Sequence, residues 1–410
     1  MNKYYLFSTG CIRRALDLML ISSYLQKNGW SNTTNPKKAD LLIVATCGVV
    51  EKNEEHSLMA VRKVEKASKQ NATVVITGCL PKINPDAINS IGAFVFVPSG
   101  ELHKLDSIIS ATVPLKDVGY PDTAKNSMPI VDFLVARSFC RKIPFYRAMF
   151  ERFAVSDLFL RFSVILSKFL SVIKIWNKKK IIPYYNIKIA DGCLSSCTFC
   201  ATKLAIGSVK SRPVEMIHNE FQRGVSSGYK VFQLVSEDTA CYGMDIGTDL
   251  SALIERLCSV PGDYKIIIID CNPHWLNKQR DRLIPLLVGH QERIKELYIT
   301  VQSGSDNVLR LMNREYTSAE AVSLLKEINV KAPRINIRTS MLVGFPGETD
   351  ADHEATKRLI KEINFTEVNI NRYEDRPATA SSKMSNKIDH MVIENRARDL
   401  VESCNCRLLS

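Results

Sequence analysis

Short apolar runs recur along this chain, each followed by a longer stretch with helical periodicity. Residues 4–8, 40–45 and 73–77 read as strands, with helices over 15–27 and 50–69 between them. Such an order predicts a parallel sheet built from βαβ units. From 182 the same rhythm resumes, with strands expected at 185–190, 231–235, 265–270, 297–301, 336–343 and 367–371. Six βα units predict a partial or full barrel of parallel strands, with its chemistry in the loops at the strands' carboxyl ends. Between the two halves the rhythm breaks. Residues 153–176 are rich in Phe, Leu, Ile and Val. There Asp157, Arg161, Lys168, Ser171 and Lys174 fall at helical spacing and leave a wide apolar face. Charges interrupt it too often for a membrane span. A core helix, a dimerisation helix and a helix lying on a membrane surface all remain open. Residues 389–408 read as helical.

The first three strands each run into a cysteine: Thr9-Gly10-Cys11, Thr46-Cys47-Gly48 and Thr77-Gly78-Cys79. The carboxyl ends of strands in an open parallel sheet form its ligand-binding edge. Three thiols are therefore expected on one rim, each beside a glycine. Repetition at equivalent places favours a metal site over three chance core thiols.

Composition sharpens this picture. At 410 residues the chain has room for two or three domains. Hydrophobic content of 45% and charged content of 24% exclude a disordered or multi-spanning protein. The formal charge of +12 favours an anionic partner such as nucleic acid or a phospholipid surface. Much of the unbalanced charge lies in 101–182, at Arg141, Lys142, Arg147, Arg152 and the run Lys178-Lys179-Lys180. No small-residue cleavage site follows an apolar core at the start, so no signal peptide is expected and the setting is cytoplasmic. A long intracellular chain needs no disulfide staples, so its twelve cysteines are read as metal ligands or buried thiols.

Directly after the first barrel strand stands Asp191-Gly192-Cys193-Leu194-Ser195-Ser196-Cys197-Thr198-Phe199-Cys200, a C-x3-C-x2-C spacing. Three thiolates within eight residues suit an iron–sulfur cluster. Zinc would want a fourth ligand, and the nearest histidine is His218. A cluster held by three cysteines leaves one iron open for chemistry.

Here the chain resembles the radical S-adenosylmethionine superfamily, whose signature is this loop after the first strand of a βα barrel, with an aromatic residue before the last cysteine. Further segments narrow the likeness to the methylthiotransferases. The stretch 236–245 (Ser-Glu-Asp-Thr-Ala-Cys-Tyr-Gly-Met-Asp) resembles their S-x-D-T-x-x-Y-G-x-D. Val301-Gln302-Ser303-Gly304-Ser305 resembles their VQSGS, and Met312-Asn313-Arg314-Glu315-Tyr316 their M-x-R-x-Y. Residues 344–349 match GFPGET, and Arg376-Pro377-Ala378-Thr379-Ala380 resembles R-P-G-T-P. Gly243-Met244-Asp245-Ile246-Gly247-Thr248 and Asn272-Pro273 look most like the archaeal and eukaryotic branch, which thiomethylates threonylcarbamoyladenosine in tRNA.

The resemblance implies an α/β protein: an N-terminal parallel-sheet domain with three cysteines over 1–100, then a radical S-adenosylmethionine (β/α) barrel over 183–385. A basic, apolar insert at 101–182 separates them, and a short tail at 386–410 stands where relatives carry a small RNA-gripping TRAM-like barrel. It implies S-adenosylmethionine and two 4Fe–4S clusters as cofactors. Cys193, Cys197 and Cys200 would hold the radical-generating cluster, and Cys11, Cys47 and Cys79 an auxiliary one with its own open iron. One S-adenosylmethionine would methylate a sulfur on the auxiliary cluster. A second would yield the 5′-deoxyadenosyl radical that takes hydrogen from the substrate. Phe199, Ser236, Glu237, Asp238, Gln302, Ser303, Arg338, Gly344 and Glu348 are expected at the cofactor. Ser236, Glu237 and Asp238 would face its amino group, Gln302 and Ser303 its carboxylate or ribose, and Arg338 a carboxylate. Gly344 and Glu348 would shape the adenine and ribose region. Arg212 and Arg314 are expected at the substrate, with a solvated loop the competing reading for Arg212, and Asp270 is a weaker candidate. A flavodoxin- or ferredoxin-like electron donor is implied, tRNA is the expected substrate, and 150–180 could meet a membrane surface or a protein partner. The same chemistry on a peptide, natural product or membrane-associated molecule stays open, as does a non-catalytic iron–sulfur scaffold. Cys140, Cys241, Cys258 and Cys271 read as ordinary buried thiols, and Cys404 and Cys406 as part of a free end. One departure stands out: Arg14 occupies a place where the family usually has asparagine.

Overall fold

A computed structural model of the chain describes residues 1–121, 184–404 and 406–408. The expected apolar helix of 153–176, the basic run at 178–180 and Cys140 lie outside the described residues. Two compact units meet in sequence between Ile182 and Pro183. Among the described residues, no helix is long and apolar enough to cross a membrane.

The first unit is a five-stranded, wholly parallel sheet. Its strands are β1 (Lys3–Ser8), β2 (Ser31–Asn32), β3 (Leu41–Thr46), β4 (Thr73–Gly78) and β5 (Val95–Pro98), in the order β2-β1-β3-β4-β5. Every residue of β3 is buried, as a central strand covered on both faces requires. Helix Glu51–Ala67 buries Ser57, Ala60, Val61 and Val64, one stripe at helical spacing, and carries Glu51 and Glu54 at its positive end. The core gathers Tyr5, Phe7, Leu42, Val44, Val61, Ile76 and Leu80. β2 and β5 lie outside the strands expected from sequence: β2 has only two residues, and β5 is a four-residue strand after two short helices.

This unit runs past residue 100. Asn28 caps the helix Ile12–Lys27 and also takes N–H donors from Thr112 and Val113 at 2.9 Å, while its amide donates to the Val113 carbonyl at 3.0 Å. Leu115 and Val118 are buried. The expected boundary at 100 therefore falls inside packed structure.

The second unit is a seven-stranded parallel sheet in the order β14-β13-β12-β11-β10-β9-β6. Its strands are β6 (Tyr184–Lys188), β9 (Val231–Val235), β10 (Lys265–Cys271), β11 (Ile294–Gln302), β12 (Asn336–Val343), β13 (Glu367–Arg372) and β14 (Arg407–Leu408). Among the described residues it is open, with β6 and β14 as its two edges, so these strands make a partial barrel. β7 (Ala190–Asp191) and β8 (Lys210–Ser211) pair antiparallel and bracket the cysteine loop.

The tail departs from expectation. It is helical over His390–Cys404, then turns and adds β14 in parallel to β13. Cys406 is buried against this edge, so the end is docked and not free. A two-residue strand carries no periodicity from which it could be read.

Candidate metal centres

β1, β3 and β4 are neighbours pointing the same way, so Cys11, Cys47 and Cys79 come to one edge of the first sheet. Cys11 is exposed, while Cys47 and Cys79 are buried. The loops are stitched to each other. The Thr9 N–H donates to the Ala45 carbonyl at 2.9 Å and the Cys79 N–H to the Thr46 carbonyl at 3.1 Å. Ser57, reaching up from its helix, accepts the Cys47 N–H at 3.0 Å and meets the Thr9 hydroxyl at 2.8 Å. It thus fixes two of the three cysteine loops. Gly78 sits at φ +98, where a Cβ would lie 2.1 Å from the Thr46 carbonyl oxygen. Only glycine lets the chain turn into Cys79 there. Arg14 is fully buried beneath the Cys11 loop and pairs with Asp17 at 3.0 Å.

In the second unit the loop 192–200 is held from several strand ends. Gly192, at φ +77, would place a Cβ 2.1 Å from the Ser208 carbonyl. The Cys193 N–H donates to the Gly207 carbonyl at 3.3 Å, and Lys203 donates to the Cys193 carbonyl. The Thr198 N–H donates to the Met312 carbonyl at 3.0 Å, and the Ser381 N–H to the Thr198 carbonyl at 2.9 Å. The Ser195 hydroxyl accepts both Asn272 Nδ2 and Trp275 Nε1 at 2.9 Å. The sequence offered no signal for Ser195, Thr198 or Trp275, because their partners lie 77 or more residues away.

The expected cofactor residues divide. Glu237 accepts the Gly192 N–H at 2.8 Å. Asp238 accepts the Ala240 N–H at 3.1 Å and the Asn272 N–H at 3.2 Å, and its other oxygen faces Cys193 Sγ at 3.4 Å. Ser236 is buried at the end of β9. Gln302 ends β11 in the left-handed region, φ +72, and Asp270 near the end of β10 does the same, φ +58. Strained backbone at strand ends is what functional edges accumulate. Phe199 packs edge-on against Phe345, centroids 6.3 Å apart. Arg314 lies under the loop: its Nη2 donates to the Thr300 carbonyl at 2.8 Å, and its Nε is buried without a hydrogen-bond partner. Its charge faces Cys197 and Asp238.

Three expectations are corrected. Arg338 is the third residue of β12, about 16 Å before Val343 at 3.3 Å per residue. Its guanidinium is taken by Glu296 at 2.9 Å and Glu367 at 2.7 Å, so it is a strand clasp and faces no cofactor carboxylate. Arg212 is likewise committed, to buried Glu220 at 2.6 Å and to the Lys188 carbonyl. The Ser303 hydroxyl closes its own turn, taking the Ser305 N–H at 3.1 Å and meeting Thr356 at 3.3 Å.

Glu348 turns inward. One oxygen accepts the Gly344 N–H at 3.0 Å, and the other pairs with Arg396 of the tail helix at 2.9 Å. Both side chains are under 10% exposed, at 5% and 9%. Removing one partner of a buried pair strands the other's charge, which costs about 3–5 kcal/mol. Arg396→Met is therefore expected to lower the urea midpoint sharply, and Glu348→Gln added to it should restore part of the loss. Equal midpoints for Arg396→Met and wild type would show that the pair is not buried in solution.

Burial pushes the Cys200 thiol up to about 11 and holds the Asp238 carboxyl at about 6. The Cys193 thiol is raised by its hydrogen bond with Cys241 and by burial. Buried thiols resist ionisation alone, and a metal cation reverses that preference because cysteine ligates as thiolate. The Ser195 N–H, aimed at Cys193 Sγ from 3.2 Å, suits an anionic sulfur. The donor set and its surroundings therefore fit a cluster.

Comparison with known proteins agrees. Residues 187–360 match the radical SAM superfamily, and residues 3–97 match the uncharacterized protein family UPF0004. A Pyrococcus horikoshii protein named as a probable threonylcarbamoyladenosine tRNA methylthiotransferase is 30% identical over 97% of this chain and 83% of its own. The chain belongs to the radical S-adenosylmethionine methylthiotransferase family. A second relative, the ribosomal protein uS12 methylthiotransferase RimO of Geotalea uraniireducens, is 27% identical over 98% of this chain and 81% of its own. The fold is shared with the radical S-adenosylmethionine methyltransferase TsrM from Kitasatospora setae, at TM-score 0.61 and 13% identity over 93% of this chain and 77% of that one. As a radical S-adenosylmethionine methylthiotransferase, the protein is an enzyme that takes S-adenosylmethionine and 4Fe–4S clusters, two in this family.

Proposed function

We propose that this methylthiotransferase acts on threonylcarbamoyladenosine in tRNA. The observation that carries the reading is a doubled one. The first unit brings three cysteines to the carboxyl ends of three neighbouring parallel strands and the second carries three in the loop 192–200, in a chain that the Pyrococcus protein matches over 97% of its length. In this reading Cys193, Cys197 and Cys200 hold one cluster, and Cys11, Cys47 and Cys79 hold the second, from which sulfur is delivered. When bound, the first cluster supplies the electron that splits S-adenosylmethionine, giving the radical that removes a hydrogen from an unactivated carbon.

The chain's own residues do the rest. Glu237 and Asp238 set a negative edge at the end of β9, suited to the amino group of the cofactor. Gln302, at the end of β11, offers an amide to its carboxylate or ribose. Gly344, at φ +77 and pinned by Glu348, makes the turn that ends β12 and lies against Ile393 of the tail helix. Arg314 balances thiolate charge at Cys197 and keeps water from that side. A flavodoxin- or ferredoxin-like protein is the proposed electron donor, and the +12 charge, much of it in 101–182, suits an anionic substrate without singling out tRNA.

The test is mass spectrometry of tRNA nucleosides from a strain lacking the gene. Methylthio-threonylcarbamoyladenosine is expected to vanish and to return with the wild-type chain. Unchanged nucleosides would overturn the tRNA reading and turn attention to a protein substrate, as in the RimO relative.

A further inference from the structure

Cys241 has no place in the reading so far. It sits in the turn Thr239–Cys241 after β9, fully buried, with its thiol donating to the Asp238 carbonyl at 3.3 Å. Cys193 Sγ, Cys241 Sγ and a carboxylate oxygen of Asp238 all lie within 4.8 Å of one another. Among the described residues, this is the one group of three or more potential ligand atoms gathered so closely. It stands at the loop whose three cysteines, in the reading above, leave one iron without a protein ligand; thiolates on different irons of one cubane stand farther apart than this, so Cys241 reaches that iron by turning away from Cys193.

We propose that Cys241 is a fourth protein ligand to the cluster held by Cys193, Cys197 and Cys200 while S-adenosylmethionine is absent, and that the cofactor displaces it. The inference rests on the assignment of that cluster made above. Soft sulfur is preferred to a carboxylate at such an iron. Asp238 is also the poorer candidate because one of its oxygens already accepts two backbone N–H groups. The step is a ligand exchange. An iron–sulfur bond forms, the thiol proton leaves to water, and no oxidation state changes. Binding of the cofactor's amino and carboxylate groups reverses it, and the thiol returns to its contact with Cys193.

A competing internal ligand weakens apparent affinity in proportion to its occupancy. Removing it should therefore tighten cofactor binding. The test uses the full chain with Cys11, Cys47 and Cys79 replaced by alanine, so that one cluster alone gives the signal, reconstituted and reduced without oxygen. Cys241→Ala and Cys241→Ser are compared with this parent by electron paramagnetic resonance, and their affinity for S-adenosylmethionine is measured. Without cofactor, the spectra of both variants are expected to differ from the parent's. With saturating cofactor, all three should converge. The apparent Kd of Cys241→Ala should fall about fivefold or more. The serine variant preserves side-chain volume, so a change seen in both at equal iron content is not a folding defect. Identical cofactor-free spectra and equal affinities would overturn the proposal while leaving the cluster assignment intact. A parent that binds no iron would overturn both.

Discussion

Cys197→Ala is expected to reduce cleavage of S-adenosylmethionine to the level of the reductant alone. The prediction follows from the build of the loop. Cys193, Cys197 and Cys200 are the soft ligands that 192–200 provides, and the Ser195, Thr198 and Ser381 hydrogen bonds fix that loop from three other segments. With one thiol gone, the proposed cluster loses the ligand to one of its four corners, and Cys241, proposed above for the open iron, does not serve that corner. The measurement is chromatography of 5′-deoxyadenosine after anaerobic incubation with dithionite. Iron content should drop by about four per chain, the content of one cubane. Cleavage surviving at the wild-type rate would remove the basis of the scheme.

The second large effect separates the two triplets. Cys47→Ala is expected to keep cofactor cleavage near the wild-type level and to abolish methylthio transfer. Cys47 lies in the other compact unit, on the edge formed by β1, β3 and β4. Its backbone N–H is held by Ser57, and that bond survives the loss of the thiol. Substitutions at sites that share no partners act independently. Loss of cleavage in Cys47→Ala would show that the second cluster is needed for the first reaction, contrary to the proposed division of labour. Cys11→Ala and Cys79→Ala should behave alike, because the proposal assigns the three thiols to one cluster.

Several features were legible in sequence because they are local. A strand is a short apolar run, and a cysteine at its carboxyl end needs no knowledge of distant residues. The strands at 231–235 and 336–343 match β9 and β12 to the residue. The C-x3-C-x2-C loop carries its spacing within eight positions. What failed was decided at long range. Arg338 reads as a free cation at a strand, but its two glutamate partners stand on neighbouring strands, 42 and 29 residues away. Glu348 is expected from sequence to shape the adenine and ribose region, and its partner Arg396, 48 residues away on the tail helix, carries no signal near it. The tail itself hid β14, because two residues cannot display an alternating pattern. Arg14 was noticed as a departure, and its burial with Asp17 shows that the change lies beneath the Cys11 loop. Cys241 looked like any core thiol, since only the fold brings it beside Cys193.

In the proposed scheme one chain carries both a radical-generating site and a separate sulfur-delivering site. It is tested most directly by a single anaerobic incubation. The purified, reconstituted full chain is given S-adenosylmethionine, reductant and tRNA that carries threonylcarbamoyladenosine but no methylthio group. The expected products are 5′-deoxyadenosine and a nucleoside that has gained one methylthio group, from protein holding about eight irons. Cofactor cleavage with no sulfur entering the tRNA, from protein with both clusters in place, would contradict the scheme.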